Sequence, residues 1–174
     1  MESLRVVVTG TVGAGKSTFV RTASEIEAIE IESTATDATV LLKETTTVAF
    51  DFGRLTVGHH MDLHLYGTPG QSRFDFMWDI LIKGANAYIL LVAANQPSGF
   101  HYAYEILSFM NQRSQVPMMV GLTHMDCPGA LSPDEVMRSL GHLDEQNRPL
   151  FVTVNPNNRD SVVKALVALT KLLS

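Results

Sequence analysis

"GTVGAGKST", residues 10–18, decides the fold of this chain of 174 residues. It follows the apolar run "LRVVVTG" (4–10) and fits the pattern G-x-x-x-x-G-K-[ST] in full. In this pattern the glycines let backbone amides surround phosphate oxygens, the lysine reaches the terminal phosphates, and the hydroxyl can ligate Mg²⁺. The stretch therefore predicts a nucleoside triphosphate site. Its candidate phosphate-binding residues are Gly10, Val12, Gly13, Ala14, Gly15, Lys16, Ser17 and Thr18.

Outside this loop, short apolar runs alternate with helical patterns. "AYILLVAA" (87–94) and "PMMVGLTH" (117–124) are continuous apolar runs, typical of parallel strands buried on both faces. "TVAFDFGRLTV" (47–57) and "HMDLHLYG" (60–67) are separated by Gly58 and predict a hairpin, which adds an antiparallel edge strand. In the second of these strands, alternation directs Met61, Leu63 and Leu65 inward and Asp62, His64 and Tyr66 outward.

The helical patterns complete the predicted architecture. They cover residues 16–24, 72–83, 99–114, 132–140 and 159–173, and the irregular stretch 25–46 is predicted to be mostly loop. We therefore expect one α/β domain over residues 1–174, a P-loop NTPase. Its sheet has six strands, mostly parallel, with one antiparallel edge strand and helices on both faces.

The overall charge limits the classes of partner. A net charge of -5 and a pI near 5.6, without clustered Lys or Arg, argue against nucleic acid or an anionic membrane as partner. The sequence has neither the pattern of a signal peptide nor a lipidation cysteine, so we expect no membrane anchor. Its one cysteine, Cys127, cannot form an internal disulfide, which favours the cytoplasm.

Two further stretches end strands of the predicted sheet. "GTPGQ" (67–71) ends the strand expected beside the phosphate-binding strand, so we expect the Gly70 N–H near a terminal phosphate and Gln71 near an attacking water. "THMD" (123–126) closes another strand, where Asp126 could accept hydrogen bonds from N1 and the amino group of guanine. Lys16, Gly70 and Gln71 are the candidate catalytic residues.

Over nearly its whole length the sequence resembles the Ras-like small GTPases, most of all the bacterial branch exemplified by the gliding-motility GTPases. The likeness lies in "GTVGAGKS" (10–17), "TVAFDF" (47–52) and "TPGQ" (68–71). It implies a Ras-like fold, GTP and GDP as ligands, and Thr47 as the metal-binding threonine beside Ser17. "THMD" is similar to the guanine motif N-K-x-D in its aspartate only, and "VTVNP" (152–156) occupies the place of the last base-contacting loop. The base-side candidates are Thr123, His124, Asp126 and Asn155.

The departures from the family pattern carry expectations of their own. Gly67 stands where most members have an aspartate that holds the metal through water. Ser17 and Thr47 are then the only obvious Mg²⁺ ligands, and we expect GDP binding to depend weakly on the metal. Because Thr123 and His124 replace Asn and Lys, guanine selectivity rests chiefly on Asp126.

A second departure concerns rate. Val12 replaces the glycine of most members, and its branched side chain would project toward Gln71, so intrinsic hydrolysis should be slow. The resemblance implies activation by a regulatory protein at the switch regions, a roadblock-type dimer that remodels the hairpin, with Arg73 as an internal candidate for the charge role.

These observations predict a GTP-binding switch that hydrolyses GTP slowly. The alternative is a regulatory or interaction module that has kept a nucleotide pocket but lost turnover; the eroded metal and base motifs favour it, and Lys16 and Gln71 favour the enzyme. A P-loop kinase would need an Arg-rich lid over the phosphates, which the sequence between the strands lacks.

Overall fold

The computed structural model describes residues 2–27, 29–35, 46–68, 82–141 and 149–173, without the side chains of 29–35 and 46–50. The strands are β1 (Glu2–Gly10), β2 (Ile29–Ala35), β3 (Thr46–Val57), β4 (Met61–Gly67), β5 (Ala87–Ala93), β6 (Met118–Thr123) and β7 (Leu150–Thr153). The helices are α1 (Lys16–Ala23), α2 (Phe100–Arg113), α3 (Pro133–Ser139) and α4 (Arg159–Lys171), and a 3₁₀ turn (Pro97–Gly99) precedes α2. Most of the helix predicted over 72–83 lies outside the described residues.

The strands form one sheet in the order β2-β3-β4-β1-β5-β6-β7. The strand β1 lies between β4 and β5 and is parallel to both, and β5, β6 and β7 continue the parallel part. The pairs β2 with β3 and β3 with β4 are antiparallel. The predicted fold class, a mostly parallel P-loop α/β sheet, is confirmed.

The sheet has seven strands rather than the predicted six, because residues 29–35 pair with β3. This segment falls within the stretch 25–46 that was predicted to be mostly loop. Its apolar residues Ile29 and Ile31 alternate with Glu30 and Glu32, which is the period of a strand with one polar face. Two alternations are too few to predict a strand beside a run of Thr, Ser and acidic residues. The antiparallel edge therefore comprises two strands.

Helices cover both faces of the sheet, as predicted. On one face Phe19 of α1 and Leu166 of α4 pack against the buried side chains of β1, β4 and β5. On the other face Ile106 of α2 and Val136 of α3 pack against β5 and β6. Every residue of β5 is buried, which explains its continuous apolar run. Within the described ranges, no helix has the length and apolar character needed to cross a bilayer.

The strand β4 departs from its predicted alternation at Asp62. Leu63 and Leu65 are buried as predicted, but Asp62 is only 4% exposed. Arg54 of β3 covers it, with the Arg54 Nε 2.8 Å from Asp62 Oδ1 and an Arg54 terminal nitrogen 2.7 Å from Asp62 Oδ2. The hydrogen bonds from Arg54 lower the pKa of the Asp62 carboxyl, and His64 adds a smaller effect. Asp62 is therefore a covered, paired carboxylate on the hairpin.

Candidate functional site

Two glycines of the loop between β1 and α1 lie so close to neighbouring residues that a β-carbon at either position would clash. Gly10 has φ +151°, and a β-carbon there would lie 2.2 Å from the Leu91 carbonyl oxygen of β5. Gly15 precedes α1 with φ +99°, and a β-carbon there would lie 2.8 Å from Cγ of Pro156. Both positions require glycine for conformation and for space. The loop therefore presents bare backbone at the carboxyl end of the parallel strands.

Lys16 lies across the inside of this loop. Its Nζ donates to the Gly10 carbonyl at 2.7 Å and contacts the Thr11 carbonyl at 3.4 Å. The side chain is 8% exposed, and burial lowers the pKa of its ammonium to about 8. As the first residue of α1, it also belongs to the turn whose amides have no acceptor within the helix. The loop thus offers N–H groups and one buried ammonium to an anion.

Ser17 provides a second feature of this end of the site. Its hydroxyl donates a hydrogen bond to the Asp51 carboxylate of β3. Asp51 pairs in the antiparallel register with Gly67 of β4, and a β-carbon on Gly67 would lie 3.4 Å from the Asp51 β-carbon. At this distance a side chain at position 67 would be in ordinary van der Waals contact with Asp51, so the two residues are direct neighbours across the strand pair. A carboxylate does lie beside Ser17, although the expected aspartate at 67 is missing.

Three of the base-side candidates, His124, Asp126 and Asn155, lie across a cavity of about 730 Å³ from the loop. The cavity is lined by Gly13, Gly15, Thr18, His124, Met125, Asp126, Cys127, Thr153, Val154, Asn155, Pro156, Asn157 and Ser161. Of the sequence predictions, Gly13, Gly15, Thr18, His124, Asp126 and Asn155 therefore share one cavity. Asp126 and Asn155 are exposed to solvent at its wall.

His124 connects the two ends of the cavity. Its backbone is in the left-handed region with φ +58°, and its Nε2 lies 3.0 Å from the Gly13 carbonyl oxygen. Because a carbonyl only accepts, Nε2 is the donor in this hydrogen bond. Thr123 is buried, and its hydroxyl lies 3.4 Å from the Val92 carbonyl instead of reaching the loop. The tie between the two loops therefore comes from His124.

The remaining predicted residues differ in how far the structure describes them. Thr47 lies in β3 opposite Thr34, and its side chain is outside the described set. Gly70 and Gln71 lie outside the described residues. Val12 is 59% exposed, and Ala14 is buried under the loop.

Sequence reasoning about this site named six of the thirteen cavity residues and did not assign Asp51, which lies beside Ser17. Ser161 of α4 lines the cavity outside every quoted motif, and Pro156, the last residue of "VTVNP", lines it although it was not named as a candidate. Asp51 could have been singled out from the predicted hairpin, because pairing around Gly58 sets residue 51 opposite residue 67. Among the described residues, no group of three or more His, Cys, Asp or Glu side chains is arranged to hold a metal ion. A metal here would depend on hydroxyl, carboxylate and phosphate oxygens.

Comparisons with known proteins agree with this geometry. The small GTPase Arl6 (BBS3) of Trypanosoma brucei, solved with the nucleotide analogue GppNp, superimposes with a TM-score of 0.73 and 16% identity over 99% of this chain and 98% of that one. This shows that the fold is that of the Ras-like small GTPases. The mutual gliding-motility protein MglA of Myxococcus xanthus is 25% identical over 138 residues, which are 73% of this chain and 69% of that protein.

Two further matches concern parts of the chain. An uncharacterized protein of Methanocaldococcus jannaschii, MJ1339, is 30% identical over 96 residues, or 55% of this chain and 54% of that protein. The chain thus matches about half of the length of this relative. A family model described as "Conserved hypothetical ATP binding protein" matches residues 26–167, which begin after the phosphate-binding loop.

Proposed function

This chain belongs to the family described as conserved hypothetical ATP binding proteins and has the Ras-like small GTPase fold, and we propose that it is a GTP-binding switch that hydrolyses GTP slowly. One observation carries the proposal: the phosphate-binding loop and Asp126 line the same cavity. A nucleotide whose phosphates contact Lys16 and the loop amides would therefore direct its base toward a carboxylate.

The choice of guanine over adenine depends on Asp126. A carboxylate accepts two hydrogen bonds from N1–H and the 2-amino group of guanine, whereas adenine has neither donor on that edge. The family description names ATP, so adenine nucleotides are the competing ligand class. Competition titration of ATP against GTP tests the proposal, and equal affinities would contradict it. Asp126→Ala should lose the guanine preference.

Mg²⁺ fits the oxygen groups of this site. Ser17 and Asp51 supply a hydroxyl and a carboxylate in contact with each other, which are ligands that Mg²⁺ prefers. Thr47 of β3 is proposed as a third group, on the strength of the family resemblance. When bound, the ion neutralises charge on the phosphates. We propose that Ser17 and Thr47 ligate it and that Asp51 does so through water.

The proposed hydrolytic residues act by position and charge. Lys16 stabilises charge on the terminal phosphate, Gly70 donates its N–H to that phosphate, and Gln71 orients the attacking water. Val12, whose side chain is exposed on the loop, is proposed to slow the reaction by obstructing the alignment of the attacking water.

Single-turnover hydrolysis by the wild type, Val12→Gly and Gln71→Ala tests these roles. Val12→Gly should be faster than the wild type and Gln71→Ala slower. Gln71→Ala at the wild-type rate would contradict the role of Gln71. Arg73→Ala belongs in the same series, since Arg73 is proposed to supply positive charge once a partner aligns the switch.

The regulatory partner is proposed to act on the hairpin of β3 and β4. The likeness to the gliding-motility protein supports a regulatory partner, and the family resemblance of the sequence favours a small dimer of the roadblock type. The proposal also includes a single domain over residues 1–174 and a cytoplasmic location, supported by the lone Cys127.

A nucleotide-binding module without turnover is the second candidate. The observation that favours it is the base motif, where His124 and Thr123 replace the usual Lys and Asn. Nucleotide identification after extraction of the purified protein, followed by a single-turnover assay, separates the two. Bound guanine nucleotide with no measurable hydrolysis would favour the module.

A further inference from the structure

The cavity wall opposite the phosphate-binding loop has an unusual set of hydrogen bonds. Each main-chain nitrogen from residue 154 to residue 158 is either bonded within the protein or lacks a hydrogen. Val154 N donates to the Leu122 carbonyl at 2.9 Å, and Asn158 N donates to the Asn155 carbonyl at 3.0 Å. Pro156 has no N–H at all.

The two remaining amides of this wall are bonded to side chains. Asn155 N donates to the Ser161 hydroxyl at 2.9 Å, and Asn157 N donates to the Asn155 side-chain carbonyl at 3.0 Å. Asn155, Asn157 and Ser161 all line the cavity, so these bonds lie at its surface. The wall from 154 to 158 consequently presents no main-chain donor to a ligand.

This arrangement matters because guanine has three groups on its pairing edge. N1–H and the 2-amino group are donors, and the 6-oxo group is an acceptor that needs a donor from the protein or from water. Asp126 satisfies the two donors only. Asn155 and Asn157 are exposed, so water can reach this wall and hydrate the 6-oxo group.

We propose that the pocket recognises guanine through N1–H and the 2-amino group, at Asp126, and makes no main-chain hydrogen bond to the 6-oxo group. Ser161 determines this specificity by occupying the Asn155 amide. The ligand class is then any purine nucleotide that has N1–H and a 2-amino group, including 6-thioguanine nucleotides. This inference rests on the proposed function, since it assumes a guanine nucleotide in the cavity.

The test is the affinity of the intact chain for GDP, 6-thio-GDP, IDP and ADP, each by competition against a fluorescent GDP. 6-Thio-GDP replaces the 6-oxo acceptor with a larger and weaker acceptor and keeps both donors, and IDP removes the 2-amino donor alone. We expect 6-thio-GDP to bind within about threefold of GDP and IDP to bind about tenfold more weakly. A loss of more than threefold for 6-thio-GDP, or IDP binding as tightly as GDP, would overturn the proposal.

Two variants test the role of Ser161. Ser161→Ala frees the Asn155 N–H, so the affinity for GDP should rise several-fold relative to the affinity for 6-thio-GDP. Ser161→Thr keeps the hydroxyl, and its ratio of affinities should equal that of the wild type. Either an unchanged ratio or a selective loss of GDP binding in Ser161→Ala would overturn this role. Failure of the proposed function gives a different result, in which ADP binds as tightly as GDP.

Discussion

At the phosphate end of the cavity, Gly10 and Gly15 leave no room for a β-carbon and Lys16 is buried, whereas at the base end Asp126 and Asn155 are exposed. At the first end the loop backbone is in direct contact with its neighbours, so a β-carbon added there would clash with a carbonyl oxygen or a proline ring. The second is built from side chains that are at least partly exposed and that bond main-chain groups, such as His124 on the Gly13 carbonyl and Ser161 on the Asn155 amide. At the exposed base end, water can replace a lost contact.

The largest expected effect concerns the buried ammonium of Lys16. Lys16→Met should weaken GTP binding roughly a hundredfold or more, because the terminal phosphates lose a charged partner in a site with little water. Lys164→Met, on the exposed side of α4, is the matched control and should bind as the wild type. Equilibrium titration with fluorescent GTP measures both, and a loss below tenfold in Lys16→Met would contradict the assigned role.

The same lysine gives a pH dependence of stability in the absence of nucleotide. Its pKa is lowered from 10.5 to about 8, so between these values the unfolded chain binds the proton and the folded protein does not. Stability from this group therefore rises as pH increases from 8 to 10.5, by about 3 kcal/mol at most.

Urea unfolding of wild type and Lys16→Met at pH 7, 8, 9 and 10 isolates this contribution. The wild type should gain stability relative to the variant as the pH rises. Parallel pH profiles would mean that the folded protein does not lower this pKa.

A smaller effect is expected where Asp51 replaces the missing aspartate at position 67. With Asp51 beside Ser17, removing Mg²⁺ with a chelator should speed GDP release from the wild type about tenfold, in contrast to the weak dependence predicted from Gly67 alone. In Asp51→Asn, the chelator should change the rate little.

Asp62→Asn is the control for this experiment, because Asp62 is the other hairpin carboxylate and is paired with Arg54. It should keep the chelator response. If the chelator leaves the rate of GDP release from the wild type unchanged, Asp51 does not help to hold the metal, and Ser17 and Thr47 remain the only proposed ligands.

The smallest effect should come from the hydrogen bond that joins His124, at the base end of the cavity, to the phosphate-binding loop. His124→Ala removes the hydrogen bond to the Gly13 carbonyl, and a loss of about 1 kcal/mol would speed GDP release about fivefold. His124→Lys retains a donor and should recover part of the loss. His101→Ala, on the exposed surface of α2, controls for removal of an imidazole. If His124→Ala releases GDP at the wild-type rate, the two ends are not coupled through this bond.

The same contrast explains what the sequence could predict. The phosphate-binding loop is contiguous, and its glycines report local conformational needs, so "GTVGAGKST" predicted the loop and the helix after it correctly. Asp51 depends on strand register, since its role becomes visible only when residue 51 is paired with residue 67. The burial of Asp62 depends on an arginine eight residues earlier, and alternation within one strand carries no information about it.

Other parts of the site remained beyond sequence reasoning for a similar reason. Pro156 reaches the cavity from the loop that follows β7, and Ser161 reaches it from the first turn of α4. Pro156 ends "VTVNP" but was not named as a candidate, and Ser161 belongs to no quoted motif. The seventh strand was missed because its pattern is short and lies in a polar stretch. Gly70 and Gln71 lie outside the described residues, so their roles stay predictions.

The contact between Gly15 and Pro156 has a consequence for synthesis of the chain. The phosphate-binding loop leaves the ribosome before Leu91 of β5 and Pro156, the two residues against which it lies. At translation rates of about 5–20 residues per second, these partners emerge several seconds after the loop. A nascent chain therefore carries an incomplete pocket until residue 156 has been made, and nucleotide reaches a finished site only when β7 and the turn after it have joined the sheet.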